Sequence, residues 1–510
     1  MSAGPAAYDP SVRETHVGIV FLVGDRAYKI KKAVHNDFLD FRTADRRRAA
    51  CRRELELNRR LAPDVYLGIS ELLRPADPDG RPVAHGGPTE PVVVMRRMPD
   101  DRRLATLVTT GAPVSADLRA LARTMARFHA GAERGDPVTA DGTRDALAAR
   151  WRSTFDALAP YAGPVLDPAV VGALERLATR FLDGRGPLFT DRIAHDRVVD
   201  GHGDLTAADV FCLDDGPRAL DCLEFDDHLR HVDGLDDVAF LAMDLERLGR
   251  PDLATDFLDA YVEFSGDPAP AALRHHYIAY RAVVRAKVAC LRRGQGDPAA
   301  AADAVQHAGL ALRHLERGAV RLALVGGLPG TGKSTLGGGL ADRFGAVLLG
   351  ADRVRKELAG IDPADPAGAP FRQGLYTAAH TAATYAELLR RAAMLLARGE
   401  SVVLDASWTD AGLRAAAADV ARRTGSDLVA LHCQVDSAVA EHRIAGRAPT
   451  GSDATAAVAR EMAAAADPWP QACPVPTGTT PAAALAVAER AWSAAPARAP
   501  RPAGPVAVPG

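Results

Sequence analysis

The chain lacks the marks of a secreted or membrane-bound protein. Its 510 residues carry six scattered cysteines (Cys51, Cys212, Cys222, Cys290, Cys433 and Cys473) and no C-x-x-C pair. That pattern argues against a disulfide scaffold or a zinc ribbon and fits thiols kept reduced in a cytosol. No run approaches about 18 uninterrupted apolar residues, so no membrane-spanning helix is expected. The opening MSAGPAAYDPSVRETH has no apolar centre of the kind a secretory signal needs. A cytoplasmic location follows as the expectation. A net charge of −3 gives no overall field toward nucleic acid or acidic lipid, so neither is an expected partner. The basic run Arg46, Arg47, Arg48, Arg52 and Arg53 falls in a helical pattern and reads as a solvated helix face. No internal repeat is visible. What remains is ordinary globular composition, 47% hydrophobic and 25% charged, in a chain too long for one core.

The strongest feature present is RLALVGGLPGTGKS at 321–334. An apolar run from Leu322 to Val325 reads as a buried strand. It enters Gly327-Leu-Pro-Gly330-Thr331-Gly332-Lys333-Ser334, which meets the P-loop pattern G-x-x-x-x-G-K-[ST] at every fixed position. Glycines let backbone N–H groups wrap a phosphate chain, and the helix that follows points its positive end at the same anion. Lys333 adds charge at the β/γ-phosphates, and Ser334, followed by Thr335, places a hydroxyl for Mg²⁺. Nucleotide binding is the reading here.

Upstream, residues 16–31 read as a hairpin around Gly24-Asp25-Arg26, with Ala27, Lys29 and Lys31 on one face of its second strand. A helix about 43–61 carries Glu54, and 91–98 forms another short strand. Helical residues 117–130 end in Arg127-Phe128-His129-Ala130. Then comes His202-Gly203-Asp204-Leu205, with Asp209 five residues past Asp204. A strand Val210–Leu213, a turn at 214–216 and a second strand Ala219–Phe225, bearing Asp221 and Glu224, follow. Asp237 reads as the cap of the helix it opens, Val238–Leu245, and as a tie to the loop at His202–Leu205. Arg281 and Arg285, one turn apart, read as partners of nearby acids.

These motifs carry a resemblance. Residues 12–290 resemble the aminoglycoside phosphotransferase family of the kinase-like superfamily, and 321–447 resemble the small P-loop kinases. The tandem order is similar to proteins described as bifunctional aminoglycoside phosphotransferase/ATP-binding proteins. The resemblance implies a two-lobed kinase-like domain at 1–317 (small lobe about 12–100, large lobe about 101–317). It implies a P-loop kinase domain with a parallel sheet at 318–490, while the Pro/Ala-rich composition of 491–510 reads as a disordered tail. Fold class is therefore α/β with α+β. Lys29 would grip the α/β-phosphates, Lys31 being the runner-up, with Glu54 as its ion-pair partner. Asp204 would orient or deprotonate the acceptor, Asp221 would hold Mg²⁺ (Glu224 the alternative), and Asp209 stands where the family has an asparagine. That exchange adds negative charge beside Asp204 and a triphosphate.

In the second half, a strand ending at Asp352 should bring a carboxylate to the ligand edge of a parallel sheet, with Arg355 one turn later. Asp405 ends the strand Ser401–Ser407 as the Mg²⁺-shell carboxylate. Asp427–Asp436 is a fourth strand. Arg443 and Arg447, at i,i+4, resemble lid arginines. Gly337-Gly338-Gly339, an unusual run inside a helix, is expected to pack closely on the sheet. The implied activity is ATP- and Mg²⁺-dependent phosphoryl transfer to a hydroxyl of a small molecule such as a sugar, aminosugar or nucleoside. The alternative is an ATP-binding sensor with a degenerate first half.

Overall fold

The computed structural model describes residues 11–14, 18–35, 40–73, 89–362, 365, 373–446 and 455–494. Arg447 and residues 495–510 lie outside them; the disordered tail expected from 491 is corrected at its start, because 491–494 close the helix Pro481–Ala494 and Trp492 is buried there. The chain forms two compact units. The first comprises Met1–Asp167, Asp191–Ala269 and Tyr277–Ala311; the second comprises Pro168–Thr190, Pro270–His276 and Leu312–Gly510.

In the first unit the hairpin residues Gly18–Val23 (β2) and Arg26–Lys31 (β3) turn at Gly24, whose φ of 57° is cheap only without a Cβ. With Ser11–Glu14 (β1), Tyr66–Leu73 (β4) and Thr89–Arg96 (β5) they make an antiparallel sheet of order β1-β2-β3-β5-β4. Alternation along β3 buries Ala27, Lys29 and Lys31. The helix Ala44–Asn58, capped by the Thr43 hydroxyl, packs on this sheet through Cys51 against Tyr66, Val93 and Met95. The expected solvated arginine face is only partly so. Arg47 is buried, its Nη2 donating to Glu90 Oε2 at 2.8 Å and its Nη1 to the Phe41 carbonyl at 2.7 Å. A carboxylate on β5 drew it inward, a contact that helical periodicity cannot reveal.

The rest of this unit is mostly helical, with two small ribbons. Val198–Asp200 (β6) pairs with His231–Asp233 (β9), and Val210–Leu213 (β7) pairs with Gly216–Ala219 (β8). Two expectations are corrected here. The strand expected over Ala219–Phe225 stops at Ala219, because Asp221 sits at φ 64° and cannot continue a ladder. The helix expected to open at Asp237 runs from Gly234 to Arg247, and Asp233 caps it by accepting from Leu235 N–H at 2.9 Å.

The second unit is built on five parallel strands. They are Arg321–Gly326 (β10), Val347–Gly350 (β11), Val402–Asp405 (β12), Asp427–Gln434 (β13) and Cys473–Pro476 (β14), in the order β11-β12-β10-β13-β14. Helices Lys333–Phe344 and Pro481–Ala494 cover one core, where Leu336 and Leu340 meet Val403, Val429, Val475 and Trp492. Parallel connections bring the strands' carboxyl ends to one edge, with β10 in the middle. The glycine run is not forced by packing. A Cβ on Gly337 would meet Leu348 at an ordinary 3.4 Å, and one on Gly338 nothing within 4 Å. Among the described residues, no helix is long and apolar enough to cross a membrane.

Candidate active site

The loop after β10 can be made only of glycine at its turning points. Gly327, Gly330 and Gly332 have φ of 144°, 81° and 85°. A Cβ on Gly330 would lie 2.5 Å from the Ala440 carbonyl oxygen, and one on Gly327 2.7 Å from Thr331 Oγ1. Gly332 forms the N-cap of the helix Lys333–Phe344, so Lys333, Ser334 and Thr335 occupy its first turn, the latter two exposed. Lys333 Nζ folds back and donates to the Leu328 carbonyl at 3.1 Å, and Thr331 Oγ1 donates to the same carbonyl at 2.8 Å. The entrance of the loop is fixed by Gly327 N–H donating to the Ser407 carbonyl at 3.1 Å.

Neighbouring strand ends surround this loop. Asp405 pairs in register with Val325 on one side and Gly350 on the other, and its Cβ is 3.9 Å from a Cβ placed on Gly337. Asp352 is not the last residue of β11, which stops at Gly350; it lies in the first turn of the helix Ala351–Leu358. Asp352 is ion-paired with Arg355, whose guanidinium lies 4.6 Å from the Tyr376 ring centroid. Arg443, on the helix Ser437–Ala445, has Nη1 3.6 Å from where a Gly332 Cβ would stand, and its Nη2 donates to the Thr477 carbonyl at 2.9 Å. The structure thus gathers Gly327, Gly330, Thr331, Gly332, Lys333 and Arg443 at one loop, with Asp405 at the adjoining strand end. A narrow glycine turn, an ammonium and a guanidinium suit a phosphate chain, and a hydroxyl with a carboxylate offers the oxygen donors Mg²⁺ prefers.

Sequence reading missed three residues here. The buried Tyr385 Oη shares a hydrogen bond with Ser407 Oγ at 3.1 Å and accepts from Trp408 N–H at 3.3 Å. Trp408 is fully buried at φ 53°, a left-handed conformation unusual for its type. Trp469 lies so close to Gly326 that a Cβ there would be 2.4 Å from its ring. The doubled glycine Gly326-Gly327 was the available signal.

The first unit holds a second constellation. Lys29 Nζ lies 2.8 Å from Glu54 Oε1 and 2.5 Å from Asp221 Oδ1; Lys31 Nζ lies 2.6 Å from Glu54 Oε2 and is also paired with Glu224. Glu54 is fully buried between the two ammonium groups. Burial opposes the charge of Lys29, but the Asp221 and Glu54 carboxylates raise its pKa well above the usual lysine value. Asp221, although partly desolvated, is held below the usual carboxylate range by Lys29. Its left-handed turn is secured by Asp221 N–H donating to Tyr66 Oη at 3.2 Å and Cys222 N–H to Asn58 Oδ1 at 2.9 Å.

The loop around Asp204 is anchored from below. Asp237 accepts from the backbone N–H of His202 at 2.7 Å and of Gly203 at 2.8 Å, and meets His129 Nε2 at 3.0 Å. Arg281 binds both oxygens of Asp236 at 2.8 and 2.9 Å and reaches the Gly203 carbonyl at 3.3 Å. Burial and the Asp221 charge push the Asp204 carboxyl up to about 6, with Arg285 pulling the other way. Burial and the Asp221 and Asp204 charges push Asp209 up to about 7, against a 2.6 Å hydrogen bond from Thr206 Oγ1.

A strand lysine paired with a helix glutamate, an H-G-D loop and, later in the chain, a glycine turn feeding a parallel sheet are parts that suit the binding of a phosphate chain. Residues 322–469 match the AAA domain family. Over 471 residues the chain is 48% identical to the uncharacterized protein Rv2004c of Mycobacterium tuberculosis (strain ATCC 25618 / H37Rv), spanning 92% of each chain. It belongs to the same family as that mycobacterial protein. Similar solved structures include a sugar kinase from Janibacter sp. HTCC2649, at 21% identity over 36% of this chain and 99% of that one, with a TM-score of 0.27. A choline/ethanolamine kinase family protein from Mesorhizobium loti is 16% identical over 61% of this chain and 94% of that one, with a TM-score of 0.38.

Proposed function

We propose that the chain is an ATP-dependent kinase whose second unit phosphorylates a hydroxyl of a small molecule such as a sugar, aminosugar or nucleoside. The observation that carries this reading is the glycine-only turn at Gly327, Gly330 and Gly332, with Lys333 and Arg443 beside it and Asp405 in register with the strand that feeds it. Bound ATP·Mg²⁺ would supply the phosphoryl group and leave as ADP. Lys333 and the loop glycines would hold the phosphate chain, and Ser334 with Asp405 the cation. Asp352 would take the proton of the acceptor hydroxyl, kept in place by its ion pair with Arg355. Arg443, hinged on Thr477, would balance the negative charge that builds during transfer.

In the first unit Lys29, Asp221 and Asp209 would bind a second nucleotide·Mg²⁺, with Glu54 positioning Lys29 and Asp204 facing the acceptor. One observation favours a different role for this unit, that of a nucleotide sensor. Burial and the Asp221 charge push the Asp204 and Asp209 carboxyls up to about 6 and about 7, a crowding of acids that opposes a bound polyanion. Acceptor-dependent ADP release by the wild type, Asp204→Ala and Asp352→Ala separates the readings. An acceptor that stimulates the wild type and Asp204→Ala but not Asp352→Ala supports chemistry in the second unit. A full rate in Asp352→Ala overturns it.

A further inference from the structure

Outside both constellations, a third cluster joins residues nearly ninety positions apart. Asp141 ends the helix Asp136–Asp141, His228 sits in the turn Asp227–Leu229, and His231 opens β9. Both imidazoles present Nδ1 to the same atom, Asp141 Oδ2, at 2.8 Å from His228 and 2.7 Å from His231. Their ligand atoms all fall within 4.8 Å of one another. The main chain between the histidines is set by one side chain, since Arg150 Nη2 donates to the His228 carbonyl at 2.7 Å and the His231 carbonyl at 3.0 Å. The same guanidinium stays 3.8 Å from the other oxygen of Asp141. The backbone that carries both rings is therefore held by a contact that leaves their nitrogens to Asp141.

We propose that Asp141, His228 and His231 form a site for a zinc-like divalent cation. Two imidazoles and one carboxylate are the donor set of a borderline ion rather than of Mg²⁺ or Ca²⁺, and three protein ligands leave one position to water. Bond lengths of about 2.0–2.2 Å in a tetrahedron separate neighbouring ligand atoms by about 3.3 Å. The two N···O distances need to open by only about half an ångström to admit the ion. The His228 side chain is 76% exposed, which gives the cation a way in from solvent. A plain hydrogen-bonded triad, with both Nδ1–H groups donating to Asp141, is the competing account.

The location gives the site a use. Around it, Arg230 binds Asp200 Oδ1 at 2.8 Å and the Leu223 carbonyl at 2.8 Å, and Asp227 reaches Arg53 at 3.2 Å. A bound ion would pin the segment that leads from Asp221 and Glu224 into β9 onto the helix Asp136–Asp141.

The test uses the full-length protein stripped of metal, with Zn²⁺ alone as probe in competition with a chromophoric chelator, and Co²⁺ for its visible d–d bands. His228→Ala removes an exposed side chain, and an unchanged melting temperature without metal checks its fold; His231→Ala is the second variant. The expected result is one equivalent of Zn²⁺ in the wild type that binds at least about tenfold more weakly in each variant, with the Co²⁺ bands lost in both. Equal uptake by the wild type and either folded variant, or no uptake by the wild type, overturns the proposal and leaves the hydrogen-bonded triad.

Discussion

Val325 and Asp405 stand directly opposite each other in the parallel ladder of β10 and β12. The carboxylate thus emerges level with the strand that enters the glycine turn two residues later, and Lys333 closes that turn from the helix side. Lys333→Ala is expected to lower kcat/KM for acceptor phosphorylation about 10²–10³-fold while the melting temperature in the absence of nucleotide stays put. Steady-state kinetics with a thermal melt on the same sample checks both halves.

Gly330→Ala attacks the same turn by sterics instead of charge. Its φ of 81° and the 2.5 Å approach to the Ala440 carbonyl leave a methyl group no room. The loop must shift at a cost of about 1–3 kcal/mol. Titration with a fluorescent nucleotide should show weakened binding with the sheet intact by circular dichroism.

Glu54→Gln concerns the first unit. The carboxylate is fully buried between Lys29 and Lys31, and its neutral isostere leaves two desolvated ammonium groups with Asp221 and Glu224 alone. Removing one partner of a buried ion pair costs about 3–5 kcal/mol. Urea unfolding followed by fluorescence should show the first unit's midpoint falling accordingly.

Asp209→Asn, made in the Lys333→Ala background to silence the other nucleotide site, is expected to tighten ATP binding severalfold. It removes a negative charge facing Asp204 and Asp221. Isothermal calorimetry with and without Mg²⁺ is the measurement, and weaker binding than in the background would contradict this.

The second unit should lose stability in acid through His276. This ring is buried and stacked on Phe181 with centroids 4.3 Å apart. Burial and the nearby Arg185 push it down to about 3, whereas it titrates near 6.5 when unfolded. Below pH 6.5 the unfolded chain binds the extra proton, so stability is complete above that pH and is lost as the pH falls toward 3. Between pH 7 and 5 this amounts to roughly 1–2 kcal/mol, and His276→Phe should flatten the acid limb of stability against pH.

What could be read in the sequence was what short-range geometry dictates. The hairpin at Gly24, the parallel strands before Gly327 and Asp405, and the alternation that puts Lys29 and Lys31 on one face each leave a local trace. The residues that complete the sites do not. Tyr385 reaches Ser407, Trp469 covers Gly326, and Glu90 draws Arg47 inward across separations that no periodicity encodes. The same holds where the reading departed from the structure. Asp221 leaves the strand because Tyr66 and Asn58 bind the backbone around it, and the helix cap falls to Asp233, so that Asp237 keeps only its expected tie to the loop at His202. Asp352 falls in the first turn of a helix because β11 ends at Gly350, a shift within the usual uncertainty of element boundaries.

The doubly tethered Glu54 also bears on how the first unit could be controlled. A kinase-like lobe can be switched by swinging its glutamate helix away from the sheet, which breaks a single lysine contact. Here that swing would strand Lys29 and Lys31 together in a dry interior, so the helix Ala44–Asn58 behaves as a fixed wall. Any on–off control in this lobe is then left to the segment that carries Asp221, which the Tyr66 hydroxyl, the Asn58 amide, Lys29 and the Arg230 contact to the Leu223 carbonyl hold without a buried carboxylate shared between two lysines.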